Sequence, residues 1–204
     1  MTVNIAVLLS GSGTTLQNLI DRRDAGTLDA SFQCVIASRS DAYGLERARN
    51  HTIPAIALPR RDYADHAEYN AAIWREIRNH DIDLVVLAGY MLFLEVPPDF
   101  ENRIMNVHPA LIPAFCGHKM YGHHVHEAVL NYGVKVTGAT VHFVDNEYDH
   151  GPIILQAALD VRPEDTPDTL AERVQALERE LYPRAIQYYA EGRIAVHGRI
   201  VHIT

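Results

Sequence analysis

The sequence predicts an α/β fold: a Rossmann-like, mostly parallel, twisted sheet with helices on both faces. Three observations carry that prediction. Val3 to Leu9 is a near-continuous apolar run of strand length, the pattern of a parallel strand buried on both sides. The turn Ser10-Gly-Ser-Gly-Thr-Thr follows at once, and Leu16, Leu19 and Ile20 recur at helical spacing until Gly26 supplies a stop signal. Strand-length and helix-length segments then keep alternating, which implies right-handed crossovers between parallel strands.

Phe32 to Ser38 reads as the second strand, Tyr43 to Asn50 as a helix and Ile53 to Leu58 as the third strand. Ala64 to Asn79 is a longer helix, with Tyr69, Ile73 and Ile77 stacked at four-residue intervals, and Leu84 to Ala88 is another buried strand. Arg103 to Val107 is a short apolar strand stopped by Pro109, which cannot donate to a ladder and restrains the residue before it. The texture then changes. Ala114 to His126 is irregular, rich in Gly and His, and leads into a helix from about His124 to Asn131. Val136 to Val144 and Ile153 to Leu159 read as partner strands joined by the turn-forming Asp145-Asn-Glu-Tyr-Asp-His-Gly-Pro. Thr166-Pro167 opens the last helix as cap and first-turn proline, with the stripe Leu170, Val174, Leu177 and Leu181; Pro183 is expected to kink or interrupt it. Ile194 to Val196 and Ile200 to Ile203 close a small hairpin around His197-Gly-Arg.

No internal repeat, low-complexity tract or linker divides the chain, and 204 residues suffice for one domain with a real core. A net charge of -8 argues against nucleic acid as a partner while leaving room for a local pocket that takes one small phosphate. Two cysteines, Cys34 and Cys116, make neither a disulfide framework nor a multi-Cys metal site, and suit a reducing compartment. No basic leader precedes the apolar Ile5 to Leu9, and no run approaches the roughly 20 apolar residues of a membrane span. The expectation is a soluble cytoplasmic protein with small-molecule partners and no membrane, a monomer or homodimer.

Chemistry concentrates in Ile104 to Pro113. Asn106 and His108 stand two residues apart, so on extended backbone both side chains leave one face at the carboxyl end of a strand, where open α/β sheets place ligands. The plain alternative is a strand end whose polar groups satisfy neighbouring loops. Imidazole titrates near neutrality, at roughly pH 6.5, so His108 can donate or accept a proton. A carboxylate nearby would favour its charged form, and the acidic turn offers Asp145, Glu147 and Asp149. Asn106 cannot titrate and serves as a fixed donor to developing charge on an oxygen. Such a trio suits attack by an amine on a carbonyl. Cys116, eight residues from His108, leaves a thioester route as the minor alternative.

Backbone amides at the amino end of a helix make an anion site, which glycine lets a ligand approach closely. The first turn is not Walker A, because no Gly-Lys follows, nor a full dinucleotide fingerprint, because Leu16 stands where the third glycine belongs. Ser38-Arg39 keeps an NADP reading open, a turn that binds nothing is another, and a single phosphate monoester aided by the Thr14 and Thr15 hydroxyls fits best. Twelve histidines invite a metal, yet His118, His123, His124 and His126 come without HExxH or paired Cys, so no metal is expected. Glu178, four residues after Val174 and three before Leu181, borders the apolar stripe and is expected to be partly buried.

Ser10-Gly-Ser-Gly-Thr-Thr-Leu-Gln, Leu87-Ala-Gly-Tyr-Met, Asn106-Val-His-Pro-Ala-Leu-Ile-Pro, Gly138-Ala-Thr-Val-His-Phe-Val and Asp149-His-Gly-Pro-Ile-Ile-Leu-Gln stand in this order along the chain. Together they resemble the phosphoribosylglycinamide formyltransferases, or GAR transformylases, of the folate-dependent formyltransferase family. The resemblance implies a formyltransferase domain over residues 1–204, with a phosphate-binding half at 1–103 and a catalytic and folate-binding half at 104–204. It implies transfer of the formyl group of 10-formyltetrahydrofolate, a co-substrate, to the amine of 5-phosphoribosylglycinamide in purine (IMP) biosynthesis. Asn106, His108 and Asp149 would be catalytic, with proton transfer to the folate nitrogen through water held by Asp149. Gly13, Thr14 and Thr15 would hold the ribose phosphate, and Glu178 would meet the amino group. Met91, Leu92, Phe93 and Leu94, with Val144 and the turn to Asp149, would line the folate pocket.

The chain departs from the family pattern where Leu92 and His66 stand in place of arginines, which leaves the hold on the folate different, and where Phe115-Cys-Gly-His-Lys-Met-Tyr-Gly is longer than the family's short Tyr-Pro-Gly form. Methionyl-tRNA formyltransferase shares the Asn-x-His-Pro core but carries a further RNA-binding domain. The remaining rivals are a formyltetrahydrofolate hydrolase and a non-catalytic phosphate- or nucleotide-binding module.

Overall fold

A computed structural model describes residues 2–204, which fall into two compact units, one ending at Met105 and the other running Asn106–Thr204. In the first, β1 (Val3–Leu9) loses all solvent exposure from Ile5 to Leu9, as a central strand covered on both faces must. It is followed by α1 (Thr14–Asp24), β2 (Ala30–Ala37), α2 (Tyr43–Asn50), β3 (Ala55–Ala57), α3 (His66–Arg78) and β4 (Leu84–Leu87). β2 and β4 pair parallel to β1 on its two sides, and β3 pairs parallel to β2. Every pairing in this unit therefore spans a crossover, and the turns after β1, β2 and β4 open at the same, carboxyl, end.

α1 starts where the sequence places it. Gly13 caps it with φ 71°, and a Cβ there would lie 2.6 Å from Gly44 Cα, so only glycine fits both the left-handed backbone and the close approach of α2. α3 is capped by Asp65, whose carboxylate accepts from the Glu68 amide at 2.8 Å, and it buries Tyr69, Ile73, Trp74 and Ile77, the four-residue ladder seen in the sequence plus Trp74.

The second unit holds β6 (Val136–Phe143) and β7 (Ile153–Asp160), paired antiparallel, preceded by β5 (Ile104–His108) and α4 (His123–Tyr132). Gly138 is needed where β6 meets β7, because a Cβ there would lie 2.0 Å from the Ala157 carbonyl oxygen. The strands form a mostly parallel seven-stranded sheet in the order β3-β2-β1-β4-β5-β6-β7. α5 (Pro167–Ala190) opens with a capping box in which the Thr166 and Thr169 side chains each accept from the other residue's amide, and β8 (Ile194–His197) pairs with β9 (Ile200–Ile203) as the expected hairpin.

Of the two outcomes expected at Pro183, a kink or an interruption, the second does not occur. Pro183 does not interrupt α5, which runs through it to Ala190. Pro183 is buried together with Leu181, Tyr182, Ala185 and Ile186, and the packing of that face offsets the roughly 3 kcal/mol that an interior proline costs. Among the described residues no helix is long and apolar enough to cross a membrane.

Candidate active site

In the first unit, the turn after β1 lines a cleft of about 580 Å³ with Ser10, Gly11, Ser12, Gly13, Thr14 and Thr15. No side chain caps the amino end of α1 and no acidic residue sits in its first turn, so its amides and the positive end of its dipole face the cleft unopposed. Ser38, Arg39 and Arg60 complete the wall, as do Met91 and Leu92 from the loop after β4. Arg39 is engaged by Asp41 at 2.7 Å. Ser10 ties the strand ends together: its Oγ accepts from Ser38 Oγ at 2.7 Å and from the Met91 amide at 2.9 Å. Sequence reasoning overlooked Ser10 as a fastener and Arg60 as a cation. A serine at the exact end of a buried strand was the available signal for the first; nothing local marked the second.

Of the other residues expected to meet folate in this unit, His66 and Phe93 are neighbours and Leu94 is buried. The His66 and Phe93 rings lie 6.1 Å apart, His66 Nε2 is buried without a hydrogen-bond partner, and Leu94 is 2% exposed. Val144 lies in the second unit, half-buried just past β6.

In the second unit, β5 delivers Asn106 and His108, and the turn between β6 and β7 delivers Asp149. His108 Nδ1 lies 3.4 Å from Asp149 Oδ2, with the two side chains 4% and 12% exposed. His108 Nε2 lies 2.8 Å from the Phe115 carbonyl oxygen, which can only accept, so Nε2 carries a proton. The Gly117 amide donates to the same Asp149 oxygen at 2.9 Å. Asp149 has φ 51°, the left-handed region, and two residues on a Cβ at Gly151 would lie 1.9 Å from the Phe143 carbonyl oxygen. This tight return aims the carboxylate at the ring.

Asn106 is held by a residue the sequence reading did not single out. Its Nδ2 lies 3.3 Å from His142 Nε2, while His142 Nδ1 lies 2.7 Å from the Phe143 carbonyl oxygen. The carbonyl requires a proton on Nδ1, and burial pushes the His142 pKa down, so the ring is neutral and Nε2 accepts from the Asn106 amide. One Nδ2 proton is thereby spent on orienting the amide and the other stays available. The signal for His142 was a polar residue two positions after Thr140 in an apolar strand. Thr140 is itself wholly buried and donates to the Ala110 carbonyl at 2.7 Å, fixing the backbone just after His108.

Of the three acids offered by the turn, Asp145 is taken by His150 at 2.7 Å and Asp149 faces His108. The histidine-rich segment does not converge. His123 pairs with Asp168 at 3.0 Å and His124 with Glu127 at 3.4 Å, while burial, first, and then the neighbouring His123 and His108 push His126 down to about 4. Among the described residues no three His, Cys, Asp or Glu side chains gather as a metal ion would need. The Cys116 thiol donates to the Pro113 carbonyl, and its pKa is raised by burial and then by Asp149, the wrong direction for a thiolate nucleophile.

Glu178 is half-buried on α5, and burial raises its pKa to about 7 against an ordinary 4.5. Between those values the folded protein keeps a proton that the unfolded chain has lost. The stability tied to this group is therefore complete below about pH 4.5 and is lost as pH rises through about 7. Urea unfolding should show stability falling over that interval, and Glu178→Gln should flatten the fall; equal slopes would show that water screens the carboxylate fully.

The formyl transferase family model matches residues 3–186. The phosphoribosylglycinamide formyltransferase of Haemophilus influenzae is 36% identical over 98% of this chain and 92% of its own. The trifunctional purine biosynthetic protein adenosine-3 of Gallus gallus is 38% identical over 95% of this chain and 19% of its own. Among solved structures, glycinamide ribonucleotide transformylase 1 of Symbiobacterium toebii superposes with a TM-score of 0.92 at 42% identity, covering 99% of this chain and 94% of that one. Matched in sequence over nearly its whole length and in fold at this level, the chain belongs to the formyl transferase family that includes the phosphoribosylglycinamide formyltransferases.

Proposed function

We propose that this formyl transferase moves the formyl group of 10-formyltetrahydrofolate onto the amino group of 5-phosphoribosylglycinamide, a step of purine (IMP) biosynthesis. The observation that carries the chemistry is the convergence of Asn106, His108 and Asp149, with the amide oriented by His142 and the carboxylate by the Gly117 amide. The substrate amine attacks the formyl carbon, a new C–N bond forms, and the carbonyl electrons move onto oxygen. The free Asn106 N–H and the protonated edge of His108 stabilise that oxyanion, which requires the Phe115 carbonyl to give up His108 Nε2. As the oxygen re-forms its double bond, the bond to the folate nitrogen breaks. The amine loses one proton and the folate nitrogen gains one, relayed by His108 and Asp149.

Gly13, Thr14 and Thr15 take the ribonucleotide phosphate on the uncapped amides of α1. Glu178 meets the amine, and its raised pKa lets it take up a proton near neutral pH. Met91 to Leu94, Val144 and the Asp149 turn meet the folate, with His66 and Leu92 where arginines are usual. The enzyme works in the cytoplasm, as monomer or homodimer, and needs no metal.

One assay separates this reading from its rivals: deformylation of the formyl folate, followed with and without the ribonucleotide. Product only with the ribonucleotide is expected; equal rates without it indicate a hydrolase, and none in either case a binding module. Thr14→Ala should weaken ribonucleotide binding by about fivefold, the loss of one hydroxyl contact of roughly 1 kcal/mol, and an unchanged Kd would move the phosphate elsewhere.

A further inference from the structure

The turn that carries Asp149 is fastened from outside the trio by the terminal hairpin. Arg199, in the bend between β8 and β9, donates from Nη2 to the His150 carbonyl oxygen at 2.7 Å and lies with Nη1 2.9 Å from His150 Nε2. A guanidinium only donates, so His150 Nε2 accepts, and Nδ1 keeps the proton it gives to Asp145 Oδ2 at 2.7 Å. The other Asp145 oxygen accepts from the Glu147 amide at 3.0 Å. This relay spans the turn from its first residue to the one after Asp149, and the Phe143 amide closes its base by donating to the Pro152 carbonyl at 2.9 Å.

The fastened segment is the one with reason to drift. Asp149 holds a left-handed φ of 51°, which costs a residue with a Cβ more than the right-handed form, although aspartate tolerates it better than most. The Arg199 bond falls on the peptide between His150 and Gly151, one residue beyond, so it fixes the chain leaving Asp149 and, through His150, the direction of the carboxylate. Arg199 is exposed, and the His150 and Asp145 side chains are 46% and 37% exposed. An exposed polar chain of this kind adds little to global stability but can select one conformation of a loop.

We propose that Arg199, acting through His150, is a positioning residue that holds the Asp149 carboxylate against His108; this rests on the reading of Asp149 given under Proposed function. Arg199→Ala should lower kcat about fivefold, with the KM for the ribonucleotide and the melting temperature close to wild type. Arg199→Lys, which keeps a donor within reach of the His150 carbonyl, should recover part of the loss, and it carries the comparison if the alanine variant folds poorly. The decisive measurement is the same substitution in an Asp149→Asn background. A positioning role predicts no further loss there, because no carboxylate remains to be aimed. The same fold-loss in both backgrounds, or a wild-type kcat for Arg199→Ala, overturns the proposal. Wild-type turnover for Asp149→Asn alone would overturn the role of Asp149 itself and take this proposal with it.

Discussion

Replacing His108 by asparagine should lower formyl transfer by about 10²- to 10³-fold while the protein stays folded, because the imidazole can both give and take a proton at the reacting atoms and an amide cannot. The ring is 3% exposed and bridges the Phe115 carbonyl and the Asp149 carboxylate. A truncation to alanine would leave the carbonyl unpaired and remove roughly 1–3 kcal/mol of stability. Asparagine keeps a donor in place, so the kinetic and structural losses separate. Steady-state rates with both substrates, beside a melting curve, make the measurement. Turnover near wild type in a folded His108→Asn would take the imidazole out of the reaction.

Asp149→Asn should be comparably severe, by about 10²-fold or more, for a different reason. The change is isosteric, and an amide oxygen can still accept from the Gly117 amide, so the turn keeps its shape. What disappears is the negative charge 3.4 Å from His108 Nδ1. The amide oxygen that accepts from Gly117 takes the place of the carboxylate oxygen facing Nδ1, so the ring keeps a hydrogen-bond acceptor but loses the charge that would favour its cationic form. Oxyanion stabilisation by a charged donor is then lost, and so is the local acceptor for a migrating proton. A variant with full activity would leave Asp149 a loop-ordering residue only.

Much of the fold was legible in the chain because burial on both faces leaves a strong mark. Val3 to Leu9 is strand from end to end, and α2 occupies Tyr43–Asn50, as its spacing indicates. Where a segment is short or half-exposed the signal weakens: the third strand shrinks from the expected Ile53 to Leu58 to Ala55–Ala57. Pro183 shows the opposite case, in which a clear local rule is overridden by the contacts of a buried helix face.

The sequence by itself determined the α/β alternation, the glycine turn that opens α1, and the placing of Asn106 and His108 on one side of a strand end. These follow from rules that act within a few residues: hydrophobic period, backbone freedom and the two-residue repeat of a strand. Tertiary structure alone decided how close the Asp149 carboxylate comes to the imidazole, that His142 orients the Asn106 amide, and that Arg199 reaches His150. Those pairings join residues about 36 to 49 positions apart. A contact at that separation depends on where whole strands settle and on which way a strained turn points its side chain, and no window of sequence encodes either.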